Sequence, residues 1–260
     1  MDRKRREESA IKDRIKEKQN EKSEGMERAV LTRLHLSASA LKYLALLAMT
    51  ADHIAVICRP VPGFRTFGDL AFPLFAFLLV EGFFHTRDRR CYGRRLLLAA
   101  VSEIPYDLAF SGRWMDAQHQ NVCLTFFLAL VAMELLERYG NGIWEKLVLT
   151  AVFCTLTEAA GADGGAWGMG LVLAFYFCVI GNSGTNVPRH ILFHEKTAGV
   201  FMKMIAAVLI GAFAWQEPLW VLALTAVCLL LYDGYRGRSR FRSFFYIYYP
   251  AHLLVLYFLS

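Results

Sequence analysis

The sequence has no CxxC pair, no HExxH, no P-loop, no GxSxG elbow and no dinucleotide fingerprint. Each absence removes a class of chemistry. Six cysteines without paired spacing, mostly inside apolar runs, are small packing residues and give neither a disulfide nor a zinc framework. Without a Gly-rich phosphate cradle or a strained serine turn, the familiar NTPase, dehydrogenase and serine-hydrolase sites are excluded. EGFFH (81–85) lacks the metalloprotease spacing, so no metal is expected. No internal repeat is evident, which weighs against an inverted-repeat transporter. The first 35 residues contain no apolar run and so cannot be a signal peptide.

Apolar sequence is what is abundant. Hydrophobic residues make up 56% of the 260, and the mean hydropathy is +0.34; soluble domains run at roughly 45–50% apolar. The excess is uneven. Residues 1–35 alternate Lys/Arg with Glu/Asp and read as a charged cytoplasmic tail, disordered or loosely helical, with Met26 an alternative start. Residues 36–260 read as one transmembrane domain. The expected fold is all-α, a polytopic helical bundle of about nine spans. These are 37–59, 68–86, 93–111, 120–138, 143–160, 165–182, 198–214, 217–232 and 243–260, or eight if one segment re-enters. Basic residues orient it. With the N-terminus cytoplasmic, 24 of the 29 Lys and Arg fall in inner segments and only Arg59, Arg65 and Arg113 in outer loops. The net charge of +6 is then explained by anionic lipid, with no nucleic-acid partner required.

Ionisable residues inside such spans are costly and mark chemistry or a transport path. Asp52 and His53 interrupt the run Leu36–Cys58, and a carboxylate beside an imidazole suits general-base work. Glu81 and His85 share a helix face toward the inner end of the second span. Glu103 and Asp107 flank Pro105, which is expected to free the Val101 carbonyl and kink the third span around a cavity. In the last span Pro250 frees the Tyr246 carbonyl and His252 follows. Asn121 shares a face with Thr125, and Asp163 lies in the GADGGAWG turn. Arg94 and Arg95, among the inner arginines 87–95, are expected to bind phosphates of a cytosolic donor. His190 and His194 read as exposed loop residues.

Five stretches in order, LKYLALLAMTADHIAVI (41–57), GDLAFPLFAFLLVEGFFHTRD (68–88), RLLLAAVSEIPYDLAF (95–110), NVCLTFFLAL (121–130) and FYIYYPAHLLVLYFL (245–259), resemble the TraX family of conjugal-transfer membrane proteins. The family's name-giving member is associated with N-acetylation of a conjugative pilin subunit, and the family is distantly similar to membrane acyltransferases. The resemblance implies acetyl-CoA as donor and a catalytic early-span histidine, here His53. It also implies a tyrosine–proline–histidine element near the end, here Tyr249, Pro250 and His252.

The expectation is therefore a bacterial cytoplasmic-membrane acetyltransferase. It would move an acetyl group from cytosolic acetyl-CoA to an amine or hydroxyl, on a pilin-like protein or an envelope glycan. His53 supported by Asp52 would act as base. Glu81, Glu103, Asp107, Asn121, Asp163, Tyr249 and His252 would line the site. The rival readings are a proton-coupled transporter, whose relay needs the same residue types, and an assembly protein without chemistry.

Overall fold

The computed structural model describes residues 36–58, 61–86, 88–100, 102–116, 118–180, 219–235, 237 and 244–260. The charged tail 1–35, the expected span 198–214, His190, His194 and the basic loop arginines 236, 238, 240 and 242 lie outside the described residues.

Every regular element among the described residues is helical: α1 (Ala38–His53), α2 (Phe64–Gly68), α3 (Ala71–His85), α4 (Arg89–Ala100), α5 (Glu103–Ser111), α6 (Val122–Tyr139), α7 (Ile143–Ala159), α8 (Gly165–Ile180), α9 (Leu219–Leu231) and α10 (Phe244–Leu259). The described residues form no β-sheet, and Gln120 and Ala162 are joined by an isolated bridge. The chain is thus an all-α bundle. Ala38–Cys58 and Phe64–His85 are long and apolar enough to cross a membrane, and Gly165–Ile180 and Ile247–Leu259 are shorter apolar helices.

Local chemistry sets the helix starts. Ser37 caps α1 by accepting a hydrogen bond from the Ala40 N–H at 3.3 Å. Asn121 caps α6 in the same way, its Oδ1 accepting from the Cys123 N–H at 2.9 Å. α1 does not end cleanly. Directly after His53 it widens into a π-helical turn, Ile54–Cys58, a departure from α geometry that recurs at functional sites.

The expected third span is broken. α4 ends at Ala100, and α5 begins again at Glu103 with Ser102 as its N-cap residue. Pro105 therefore sits in the first turn of a new helix rather than at an interior kink. Its missing N–H costs nothing there, because first-turn N–H groups have no intrahelical acceptor. Pro250, in contrast, does lie inside α10.

α3 is the centre of the packing, against α1, α6 and α8. Phe77, Leu74, Val80 and Phe83 are buried along it. Gly164 and Gly168 let α8 close on the Phe72 ring, where a Cβ on either would come within 3 Å of it. On the opposite flank α10 packs against α5, α4 and the π-helical turn. That arrangement brings α10 to the end of α1.

The outside of the bundle is apolar. Along α7, Ile143, Trp144, Leu147, Val148, Val152 and Leu156 are all exposed, as are Leu47 on α1 and Phe258 on α10. A soluble monomer rarely exposes so continuous an apolar stripe. A surface of this kind is matched to the hydrocarbon of a membrane.

Candidate functional site

His53 is the last residue of α1 and is buried, with 8% of its surface exposed. Its Nδ1 lies 2.7 Å from Nε2 of His252, 199 residues away on α10. The two rings are nearly parallel, with centroids 5.0 Å apart. His252 is equally buried, and its own Nδ1 is 2.9 Å from the Tyr248 carbonyl oxygen one turn back. Phe110 of α5 stands edge-on to His53 at 5.3 Å, and Tyr249 approaches from α10 at 6.4 Å. Tyr248 is anchored in turn. Its hydroxyl is 2.8 Å from Thr50 Oγ1, which donates to the Leu46 carbonyl at 2.7 Å. Thr50's only hydrogen is spent there, so Tyr248 is the donor in their shared bond.

A group of acidic residues lies beside Tyr106 and Tyr249, the tyrosines next to this pair. Tyr106 of α5 feels the charges of Asp163, Glu103, Asp107 and Asp52, and Tyr249 those of Asp163 and Glu103. Tyr106 also packs on Phe110 at 4.5 Å, which links the acidic groups to His53's ring contacts. The Asn121 N–H donates to both Glu103 oxygens, at 3.2 and 3.1 Å. Asp107 is 1% exposed. Its Oδ2 accepts the Asp116 N–H at 2.7 Å, while its Oδ1 is buried with no hydrogen-bond partner among the described residues. Buried carboxylate oxygens are costly when unpartnered.

The turn after α7 is tied to the start of α6 by hydrogen bonds to the Asp163 backbone. Thr125 Oγ1 donates to the Asp163 carbonyl at 2.5 Å, and the Asp163 N–H to the Gln120 carbonyl at 2.8 Å. Asp116, in the loop between α5 and α6, accepts from the Gln118 N–H and the Ser111 hydroxyl and pairs with His119. The Gln118 N–H first, then these two side chains, hold its carboxyl below the usual range.

Asp52 points elsewhere than its neighbour. It is half-buried against Gly68 of α2 and lies in the field of Arg65, Asp69 and Asp163. The hydrogen bond on His53 Nδ1 goes to His252.

Glu81 also lies apart. It is ten residues along α3 from Ala71, about 15 Å down the helix from the end nearest His53. Its carboxylate accepts the Tyr232 hydroxyl at 2.6 Å and lies 3.8 Å from His85 Nδ1. Arg94 and Arg95 are exposed on α4 and make no ion pair among the described residues. Arg89, in contrast, is occupied by Glu134 at 3.0 Å, by Glu137 and by the face of Phe83.

Sequence reasoning did not single out Tyr106, Phe110 or Tyr248. Tyr106 sits between Glu103 and Asp107 in SEIPYDLAF, which was the available signal. Among the described residues no group of three or more His, Cys, Asp or Glu is placed to hold a metal ion.

The model of the TraX protein family matches residues 37–260, nearly all of the bundle described above. The chain belongs to the TraX family. A relative in Dichelobacter nodosus, described as a probable fimbrial assembly protein FimC of serogroup H1, is 28% identical over 252 residues. That match spans 86% of this chain and 95% of the relative. No solved structure matches the chain.

Proposed function

We propose that this protein is a multi-pass acetyltransferase of the bacterial cytoplasmic membrane, with the N-terminus inside and about nine spans. In this reading His53 is the general base. The observation that carries it is the convergence of His53, His252, Tyr249, Tyr106, Glu103 and Asp107, drawn from three separate helices, into one largely buried cluster. TraX membership supports an acetylation-type role.

Acetyl-CoA, when bound, supplies an activated acyl carbon and a thiolate leaving group. The residues present suit it. Arg94 and Arg95 have guanidinium groups free of ion pairs among the described residues, as phosphate binding requires. His53 takes the proton of the acceptor amine or hydroxyl as the new N–C or O–C bond forms and the C–S bond breaks. It then returns that proton to the departing thiolate. Asp107 Oδ1 receives a hydrogen bond from the acceptor. Glu103 and Asn121 fix the α5–α6 wall, and Tyr249, Asp163 and His252 complete it. Asp52 adds negative charge beside the site. The acceptor is a pilin-like protein subunit or an envelope glycan; the description of the Dichelobacter relative as a fimbrial assembly protein favours the protein.

The test is release of coenzyme A from acetyl-CoA by the full-length protein in lipid, with acetyl-CoA binding measured in the same samples. Release that depends on His53 supports the reading. A well-folded sample that neither binds nor turns over acetyl-CoA refutes it.

A further inference from the structure

Hydrogen-bond polarity along the two-histidine chain can be assigned without seeing a proton. The Tyr248 carbonyl can only accept, so His252 Nδ1 carries the hydrogen of their 2.9 Å bond. A neutral imidazole has one N–H, so His252 Nε2 presents a lone pair. His53 Nδ1, 2.7 Å from that lone pair, must then be the donor. His53 is left with its lone pair on Nε2, and Nε2 has no hydrogen-bond partner among the described residues.

We propose that His252 is the positioning residue of this site: it locks His53 in the Nδ1–H tautomer and so makes Nε2 the basic atom. The inference rests on the reading of His53 as general base and deepens it. A nucleophile's base is commonly oriented by a third group, most often a carboxylate. Here that place is taken by a second imidazole, itself oriented by a backbone carbonyl. The substitution suits the location. A buried carboxylate inside an apolar bundle carries a heavy desolvation cost, whereas a neutral imidazole does not. Asp52 is turned toward Gly68 and is not required for the orientation.

The rest of the chain fixes the second ring. Tyr248 stacks on His252 with centroids 5.0 Å apart, and its hydroxyl is tied to Thr50, one turn before His53 on α1. The two helices are thus joined twice, once through Thr50–Tyr248 and once through His53–His252. When His53 accepts a proton on Nε2, its Nδ1–H donates more strongly to His252, and the positive charge is shared across both rings. Protonation of His252 Nε2 as well would remove the acceptor and break the pair.

The experiment is nitrogen-15 NMR of histidine-labelled full-length protein in lipid. The His53 signals are assigned by their loss in His53→Gln. The wild type is expected to show His53 with a protonated Nδ1 and a bare Nε2. His252→Ala should shift His53 toward the other tautomer and lower turnover about 10²-fold or more, with acetyl-CoA binding unchanged. His252→Gln, whose side-chain carbonyl can accept from Nδ1–H, should restore the wild-type tautomer and part of the turnover. A wild-type His53 protonated on Nε2, or a tautomer unmoved by His252→Ala, overturns the proposal even if the protein is an active acetyltransferase. The expected tautomers without any acetyl transfer would leave the positioning intact and remove the acetyltransferase reading instead.

Discussion

Gly68 and Asp52 lie in direct contact where α2 turns back on α1. A Cβ on the glycine would overlap the aspartate Cβ and come to 3.0 Å from its Cα. The obstacle includes backbone, so it cannot swing aside. Gly68→Ala is expected to cost about 1–3 kcal/mol and to lower activity by displacing the Asp52–His53 turn. Gly170, on α8, has nothing within 4 Å of a built Cβ. Gly170→Ala should instead be neutral or stabilise by up to about 1 kcal/mol. Thermal unfolding in detergent checks both, and equal effects would contradict this packing.

Glu81 and Tyr232 form a second buried pair, joined at 2.6 Å. Removing the hydroxyl in Tyr232→Phe leaves a buried carboxylate short of a donor, which is expected to cost about 1.5–3 kcal/mol. Turnover per folded molecule should be preserved, since the pair lies well down α3 from His53. Paired measurements of unfolding and acetyl transfer distinguish this from a role for Glu81 in the chemistry.

Asp107 is expected to separate fold from function. Asp107→Ala strands the Asp116 N–H and should destabilise by about 1–3 kcal/mol. Asp107→Asn retains an oxygen for that bond but places a donor on the other branch. It should keep the fold and lose most of the turnover. Full activity in Asp107→Asn would show that the unpartnered oxygen plays no part in binding the acceptor.

The loop between α5 and α6 should loosen in acid. Asp116's carboxyl is held below its ordinary value of 3.8, first by the Gln118 N–H and then by Ser111 and His119. A depressed carboxylate stabilises the folded loop above its unfolded value, and that contribution is lost as pH falls through the folded one. Hydrogen exchange at Asp116 and at residues 118–120 should quicken, beyond the intrinsic trend, below about pH 4. Asp116→Asn should show the faster exchange already at neutral pH.

Most of the helices were readable in the sequence as apolar runs bounded by charge, glycine or a capping residue; α2 (FRTFG), between the first two expected spans, was not, and α4 starts four residues early, in the arginine-rich RRCYGRR. Ser37 and Asn121 sit where α1 and α6 begin. The broken third span was not readable. Proline in an apolar run signals a break without saying whether it falls before or after the ring, and the chain restarts at Glu103 so that Pro105 falls in a first turn. Pairing was the harder matter. Asp52 is adjacent to His53 in sequence, yet successive helical residues diverge by about 100°. The atom that meets His53 comes instead from His252, through packing of α10 against the end of α1 that no local pattern encodes. Glu81 shares with the others its depth in an apolar run, and only the course of α3 separates it from them.

Everything proposed for the site depends on His53 acting as the base of an acetyl transfer. The direct measurement is coenzyme A release from acetyl-CoA by the purified full-length protein in lipid bilayers, alongside His53→Ala of matched thermal stability. Release is expected, slow without the acceptor, that falls to background in His53→Ala while acetyl-CoA binding persists. Release that is equal in the two proteins, or no binding of acetyl-CoA by either, would contradict it.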